Sequence, residues 1–401
     1  MVADTQPQSP PQFETVDELL AFVEEMDAGE LSRWIDSTDR AILRLLMDRV
    51  VAIINNKGGV LKTSIATNLA GQLAAAGTRV LLLDLDRQGN CAQDLGYGTD
   101  ARDDKGLGIV QAVLGSTALL PIRNVRPNLD VVPGGKHLDN LRALLTAQRS
   151  QSRHAAADAL VIPLAHIARD YEVILLDCPP GEPIVQEVAV GVARWLLVPV
   201  RSDASSRAGM SEVAERVETV REVNPDVELL GVLLTGTSQS ATRIHERVYA
   251  RVREDLGPDA YIFKSRIRYA EAAASDSRER GELAHELEKV VSTQPAWYEA
   301  MRSGQPVERL AGSASSLAGD YAALAQEFVQ TLLEAESEGA ADDEGASAGE
   351  DDSANDSVNE GAEAIDQDDS GDHRKQDSTS GGGESATVDG RASGEGQGVV
   401  A

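Results

Sequence analysis

The sequence predicts an α/β fold built on a mostly parallel, doubly wound sheet with helices on both faces. Three observations predict it. Short β-branched or leucine-rich runs alternate with helical stretches of about 10–15 residues, the pattern of βαβ units. A glycine-containing loop, Asn55 to Ser64, joins the strand-like run Arg49-Val50-Val51-Ala52-Ile53-Ile54 to a helix-like run from Ile65 to Ala76. Two further apolar runs, from Thr78 to Asp86 and from Tyr171 to Asp177, end in acid. Buried parallel strands read this way when they deliver a carboxylate to the carboxyl edge of a sheet.

The elements follow in order. Residues 1–12 are rich in Pro and Gln and read as a loose start. Phe13 to Met47 is helical in pattern, with Val16, Leu19, Leu20, Phe22 and Val23 on one face and a break at Asp27-Ala28-Gly29-Glu30. This extension could pack on the main fold, contribute to a dimer or hold a partner, with packing the default. After the second acid-ended strand come a loop region to about Gly106, a short helix near Leu107–Leu114, a strand at Leu129–Val132 and helices between Leu138 and Arg169. The run from Tyr171 to Asp177 is followed by a helix near Val185–Ala193, a strand at Arg194–Val200, a helix at Ala208–Val223 and a strand at Val227–Thr235. A helix at Thr242–Leu256, a short strand at Tyr261–Phe263 and a helix over Ala270–Arg280 come next. A last helix runs from Tyr321 to about Leu333, with Asp320 as its cap. The expected organisation is a helical extension over 1–48, the α/β domain over 49–335 and an acidic disordered tail over 336–401.

Charge supports the tail and constrains partners. Glu334 to Ala401 holds 20 acidic residues against Arg374, Lys375 and Arg391, a net −17 of the chain's −29, which leaves −12 for the rest. Such a segment, with few large apolar residues, cannot bury enough surface to offset its ordering entropy. Binding to nucleic acid would need a local basic patch set against an unfavourable overall field. Cys91 and Cys178 are the sole cysteines, which argues for a reducing, cytoplasmic compartment and against a disulfide framework. Both follow acid-ended strands, small buried fillers being the simpler account over a redox switch. No C-x-x-C motif or membrane-length apolar run is read in the sequence, and no signal peptide is expected.

The loop Asn55-Asn56-Lys57-Gly58-Gly59-Val60-Leu61-Lys62-Thr63-Ser64 carries the chemistry. Backbone N–H groups of a glycine loop and of a helix's first turn lack intrahelical partners, and with the helix dipole they form an anion site. Lys62 would reach the β and γ phosphates of a nucleotide, and the Thr63 hydroxyl would ligate Mg²⁺. The ordinary pattern G-x-x-x-x-G-K-[ST] is not met, since Asn56 and Leu61 stand at its two glycine positions.

Lys57, five residues before Lys62, gives a resemblance. K-G-G-x-x-K-[ST] resembles the deviant Walker A motif of the ParA/MinD family of P-loop ATPases. Asp84-Leu85-Asp86-Arg87-Gln88-Gly89-Asn90 is similar to that family's D-x-D-P-Q-G-N motif, with Arg87 at the proline position. The strand ending at Asp177 is similar to its Walker B. The Leu196–Asp203 run, with its Val-Pro pair, the Gly231–Thr235 strand and Ile267-Arg268-Tyr269-Ala270-Glu271-Ala272 extend the likeness over roughly Val50 to Ala335. Lys264-Ser265-Arg266 replaces the family's P-R-N, which puts adenine contacts by that stretch in question.

The resemblance implies the following. ATP with Mg²⁺ would bind over Lys57, Gly58, Gly59, Val60, Leu61, Lys62, Thr63 and Ser64. Thr63, Asp84 and Asp177 would serve the metal, and Asp86 would orient the attacking water. Lys57 would act in trans on a partner's nucleotide, coupling hydrolysis to homodimer formation. Leu61 affects this directly. A negative φ there leaves binding intact, whereas a left-handed leucine implies a weak binder or a slow ATPase. The function implied is that of a ParA-like, nucleoid-associated partition ATPase, which binds DNA non-specifically as an ATP dimer and is released when a ParB-like cargo-bound partner stimulates hydrolysis. Arg243, Arg247 and Arg251, at spacings of four, share a helix face suited to phosphates; the alternative is a solvated face paired with Glu246 and Glu254. A MinD-like membrane switch would want a basic amphipathic terminal helix, and residues 321–336 end in acid instead. A nucleotide-binding scaffold with little hydrolysis is the other alternative.

Overall fold

The computed structural model describes residue 13 and residues 16–150, 152, 155–294, 302 and 310–350. The expectations of a loose start over 1–12 and of a disordered segment over 351–401 fall outside them. Eight strands form one sheet: β1 (Val50–Ile53), β2 (Val80–Asp84), β3 (Ile122–Arg126), β4 (Leu129–Val132), β5 (Val173–Asp177), β6 (Trp195–Val200), β7 (Glu228–Thr237) and β8 (Ile262–Arg268). Their order is β3-β4-β2-β5-β1-β6-β7-β8, and every pairing is parallel except the β3–β4 edge.

The central strands are wholly buried because helices cover both faces. Alternate residues therefore feed two cores. Val50, Ala52, Leu81, Leu83, Ile174 and Leu176 point into one, and Val51, Ile53, Val80, Leu82 and Leu175 into the other. The first core also takes Leu19, Val23, Leu31, Ile35, Leu43 and Met47, so the N-terminal helices Val16–Glu24, Ala28–Ser37 and Arg40–Arg44 pack on the sheet domain. Asp27 is the break between the first two and caps the second, accepting from the N–H groups of Gly29 and Glu30 at 2.8 Å each.

Several elements differ from the sequence expectation. β3 was not expected, because Ile-Arg-Asn-Val-Arg lacks an apolar run; as an antiparallel edge strand it needs none, and Asn124 takes φ 54° where its register shifts. The short helix Cys91–Asp94 and the helix Ala284–Thr293 were likewise not foreseen. β8 is longer than the Tyr261–Phe263 strand because a helix completes its free edge: the N–H groups of Lys264 and Ser265 donate to the Glu327 carboxylate at 2.7 Å each. The last helix runs over Ala314–Glu350, not from Tyr321 to about Leu333. Asp320 lies inside it and is no cap; its carboxylate accepts from Arg268 Nε at 2.7 Å and Nη2 at 2.8 Å.

Candidate nucleotide site

Strand register builds the site. Asp177 is level with Ile53 on one side and with Asp84 on the other. The loop leaving β1 and the carboxylates ending β2 and β5 therefore meet at one carboxyl edge, where the chain order reverses around β1.

Side-chain amides fix the start of the loop. Asn55 is fully buried, donates through Nδ2 to the Pro199 carbonyl at 2.9 Å and accepts the Lys57 N–H at 2.8 Å. Asn56, at the first glycine position, accepts the Gly181 N–H at 2.7 Å and donates to Glu212. Half-buried Lys57 and exposed Gly58 and Gly59 follow, Gly59 with φ 77°. Val60 is buried, and its carbonyl accepts from Thr235 Oγ1 at 3.2 Å.

Leu61 takes φ 67° and ψ 24° and precedes the helix Lys62–Ala75 with no side-chain cap. The left-handed conformation that glycine gives freely is thus held by leucine, at a cost of about 1–2 kcal/mol. The helix's first N–H groups stay open toward the loop, the arrangement that accommodates an anion. Lys62 is buried and donates from Nζ to the Lys57 carbonyl at 3.0 Å. Its burial pulls the ammonium pKa down, opposed by nearby Asp177.

Thr63, Asp84 and Asp177 are brought together. Thr63 Oγ1 donates to Asp177 Oδ2 at 2.7 Å, while Asp177 Oδ1, also buried, has no hydrogen-bond partner. Asp84 accepts the N–H of Asp86 at 2.9 Å and of Cys91 at 3.3 Å. Its carboxyl also sits against Gly134, where a Cβ would come within 2.6 Å of it, so only glycine fits there. Burial, then proximity to Asp177, drives the Asp84 pKa well up. Burial pushes Asp177 up to about 7, the Thr63 hydrogen bond and Lys62 opposing. Two carboxylates and a threonine hydroxyl, with a buried oxygen left over, fit a hard divalent cation. Asp86, past the strand end, is buried and accepts the Gln88 N–H at 2.9 Å.

Ser64 and Leu61 line a cleft with Arg268, Tyr269, Ala270 and Glu271, the segment after β8. The sequence Lys264-Ser265-Arg266 lies within β8 itself. Arg243, Arg247 and Arg251 lie on the helix Thr242–Leu256, which leaves the carboxyl end of β7; His245, Val248 and Val252 form its buried face. Arg243 and Arg247 are exposed and Arg251 is half-buried. Among the described residues no ion pair joins the three to Glu246 or Glu254.

Three residues of this edge were given no role from sequence. Arg201, after β6, donates from Nη1 to the Gly59 carbonyl at 3.4 Å. Buried Asp94 accepts from Arg278 Nε at 2.9 Å and from Thr67 at 3.3 Å. Cys91 donates from Sγ to Asp177 Oδ2 at 3.7 Å. Only Cys91 carried a signal, its place just after a motif strand.

A family profile described as an AAA domain matches residues 48–229. The chain is 33% identical over 231 residues to the chromosome partitioning protein ParA of Caulobacter vibrioides, covering 56% of this chain and 83% of that one. It is 31% identical over 227 residues to the chromosome-partitioning ATPase Soj of Thermus thermophilus, covering 56% and 84%. Apo McdA of Cyanothece shares the fold, with a TM-score of 0.52 at 21% identity over 60% of this chain and 93% of that one.

Proposed function

Because the chain belongs to the ParA family of P-loop ATPases, we propose that it is a slow, Mg²⁺-dependent ATP hydrolase that positions plasmid or chromosome cargo. The observation that carries this is the Thr63–Asp177–Asp84 cluster, with an unpartnered buried oxygen beside an open helix N-terminus. ATP with Mg²⁺, bound here, supplies the phosphoanhydride and neutralises its charge. Lys62 and the N–H groups of Gly58 to Thr63 hold the phosphates, with Lys62 turning from the Lys57 carbonyl toward them. Thr63, Asp84 and Asp177 would hold the metal, and Asp86 would orient the attacking water. The base lies toward the cleft beside Ser64 and Tyr269.

Lys57 reaches the partner's nucleotide, so ATP drives homodimer formation. The dimer binds DNA through Arg243, Arg247 and Arg251 without reading sequence, and a ParB-like cargo-bound activator triggers hydrolysis and release on the nucleoid. Residues 1–48, 49–335 and 336–401 serve as packed helical extension, ATPase domain and acidic tail. No helix among the described residues is long and apolar enough to cross a membrane, and no membrane partner is proposed. The left-handed Leu61 favours a second reading, a nucleotide-bound scaffold with little turnover.

Light scattering with ATP or ADP tests the dimer. The parent chain dimerises with ATP only, and Lys57→Ala stays monomeric while keeping nucleotide affinity; a mutant that dimerises like the parent removes the trans role. Duplex binding measured against salt separates the two readings. Absence of ATP-dependent DNA affinity even at about 50 mM salt, with and without residues 337–401, favours the scaffold.

A further inference from the structure

Cys91 is left without a task by the phosphate switch. Its thiol and the carboxylates of Asp84 and Asp177 are all buried, and one ligand atom from each lies within 4.8 Å of the others. Among the described residues this is the one group of three or more such donors that could hold a metal ion. The unpartnered Asp177 Oδ1 belongs to the same cluster. A buried carboxylate oxygen with no donor costs about 1–3 kcal/mol or more, a cost that a cation removes.

We propose that Asp84, Cys91 and Asp177 form a binding site for a thiophilic divalent cation of the zinc–cadmium class, taken up directly by the nucleotide-free chain. Magnesium asks for six hard oxygen donors and keeps its waters, whereas zinc and cadmium accept one sulfur and two carboxylates in a tetrahedron. Bond lengths of such a site set donor separations of roughly 3.3–3.8 Å; Cys91 Sγ and Asp177 Oδ2 are already 3.7 Å apart, and no pair need draw in by more than about 1–1.5 Å. Thr63 Oγ1, 2.7 Å from Asp177 Oδ2, or a water supplies the fourth position. The sulfur–metal bond forms as the thiol proton leaves to solvent. Three anionic donors on a divalent ion leave one negative charge, which Lys62 beside Asp177 offsets. Thr63 is half-buried and gives the ion its path from the loop. A soft cation held here occupies the carboxylates that the switch reserves for Mg²⁺, so the site acts as a cation-selective off state. The binding itself does not depend on the chain being an ATPase.

Cadmium titration of nucleotide-free protein, followed by the ultraviolet thiolate-to-cadmium absorption band, tests this. The expected result is a saturating band at one ion per chain, kept in Cys178→Ser and lost in Cys91→Ser. Absence of a band in the parent, or its retention in Cys91→Ser, overturns the site. If Cys91→Ser fails to fold, Asp84→Asn keeps both thiols and decides. Cadmium affinity should drop at least about tenfold, and unchanged affinity overturns the proposal.

Discussion

The two edges of the sheet treat buried charge in opposite ways. At the amino edge, Arg44 is almost fully buried, yet Nε donates to the Gly191 carbonyl at 2.9 Å and Nη2 pairs with Asp158. Arg169 donates to the carbonyls of Val23 and Met26, near the end of the first helix, and Trp195 Nε1 donates to the Asp48 carbonyl at 2.9 Å. At the carboxyl edge two buried carboxylates face each other, one oxygen has no partner, and leucine holds a glycine conformation. Unsatisfied polar groups and backbone strain persist where something outside the resting chain uses them. The contrast assigns stability to one edge and chemistry to the other, and four variants test it.

Asp86→Ala should have the largest effect. Its carboxylate caps a local turn through the Gln88 N–H, so fold and thermal midpoint stay within about 1 kcal/mol. Turnover should fall at least about a hundredfold if Asp86 orients the water. Phosphate release under saturating ATP reads this, and unchanged turnover would assign the water to another group.

Asp177→Asn should stabilise the metal- and nucleotide-free chain. Asp177 keeps its proton to about pH 7 when folded, against 3.8 for its ordinary value. Between these limits the folded chain binds the extra proton, so stability falls as pH rises from about 4 to about 7 and stays low above. The variant removes that penalty, gaining up to about 4 kcal/mol above pH 7 and nothing near pH 4. Urea midpoints in chelator at both ends of the window check it; equal shifts at both would mean the carboxylate is not held protonated.

Arg44→Ala should do the reverse, costing about 2 kcal/mol and leaving nucleotide affinity unchanged. The value sits below that for a fully buried pair because the Asp158 side chain is 30% exposed and water can reach it once the arginine is gone. Loss of nucleotide affinity in a folded Arg44→Ala would mean the two edges are coupled.

What could be read in advance divides along the same line. The central strands were legible because burial on both faces demands unbroken apolar runs, and the acids ending two of them were legible because they follow the phosphate loop in order, not because either is distinctive alone. β3 was not, since an edge strand closed by Asp130 and Arg123 contacts needs little apolar pattern. Asp320 looked like a cap in sequence because its partner, Arg268, is 52 residues away and only the fold brings them together. Glu327, which completes the edge of β8, was hidden in the same way. Cys91 was recognisable as near the site but not as a neighbour of Asp177, which depends on how the chain turns after β2.

Leu61→Gly should also leave stability nearly unchanged, with the smallest effect on turnover of the carboxyl-edge variants, and is the sharpest test of strain there. Releasing a left-handed leucine gains about 1–2 kcal/mol. Glycine returns about 0.5–1 kcal/mol through the freedom of the unfolded chain, and the half-buried leucine, packed against the second core, gives up about 1 kcal/mol more. These terms nearly cancel, so the denaturation midpoint should move by less than about 1 kcal/mol. Nucleotide handling should not cancel. The leucine side chain lines the cleft beside Ser64, and removing it lets the loop backbone approach the phosphates, so ATP affinity and turnover should both rise several-fold. Isothermal titration with a non-hydrolysable analogue and steady-state phosphate release measure the two. If stability instead falls by more than about 2 kcal/mol with affinity unchanged, Leu61 is a packing residue, and the carboxyl edge owes its peculiarity to Asp84 and Asp177 alone.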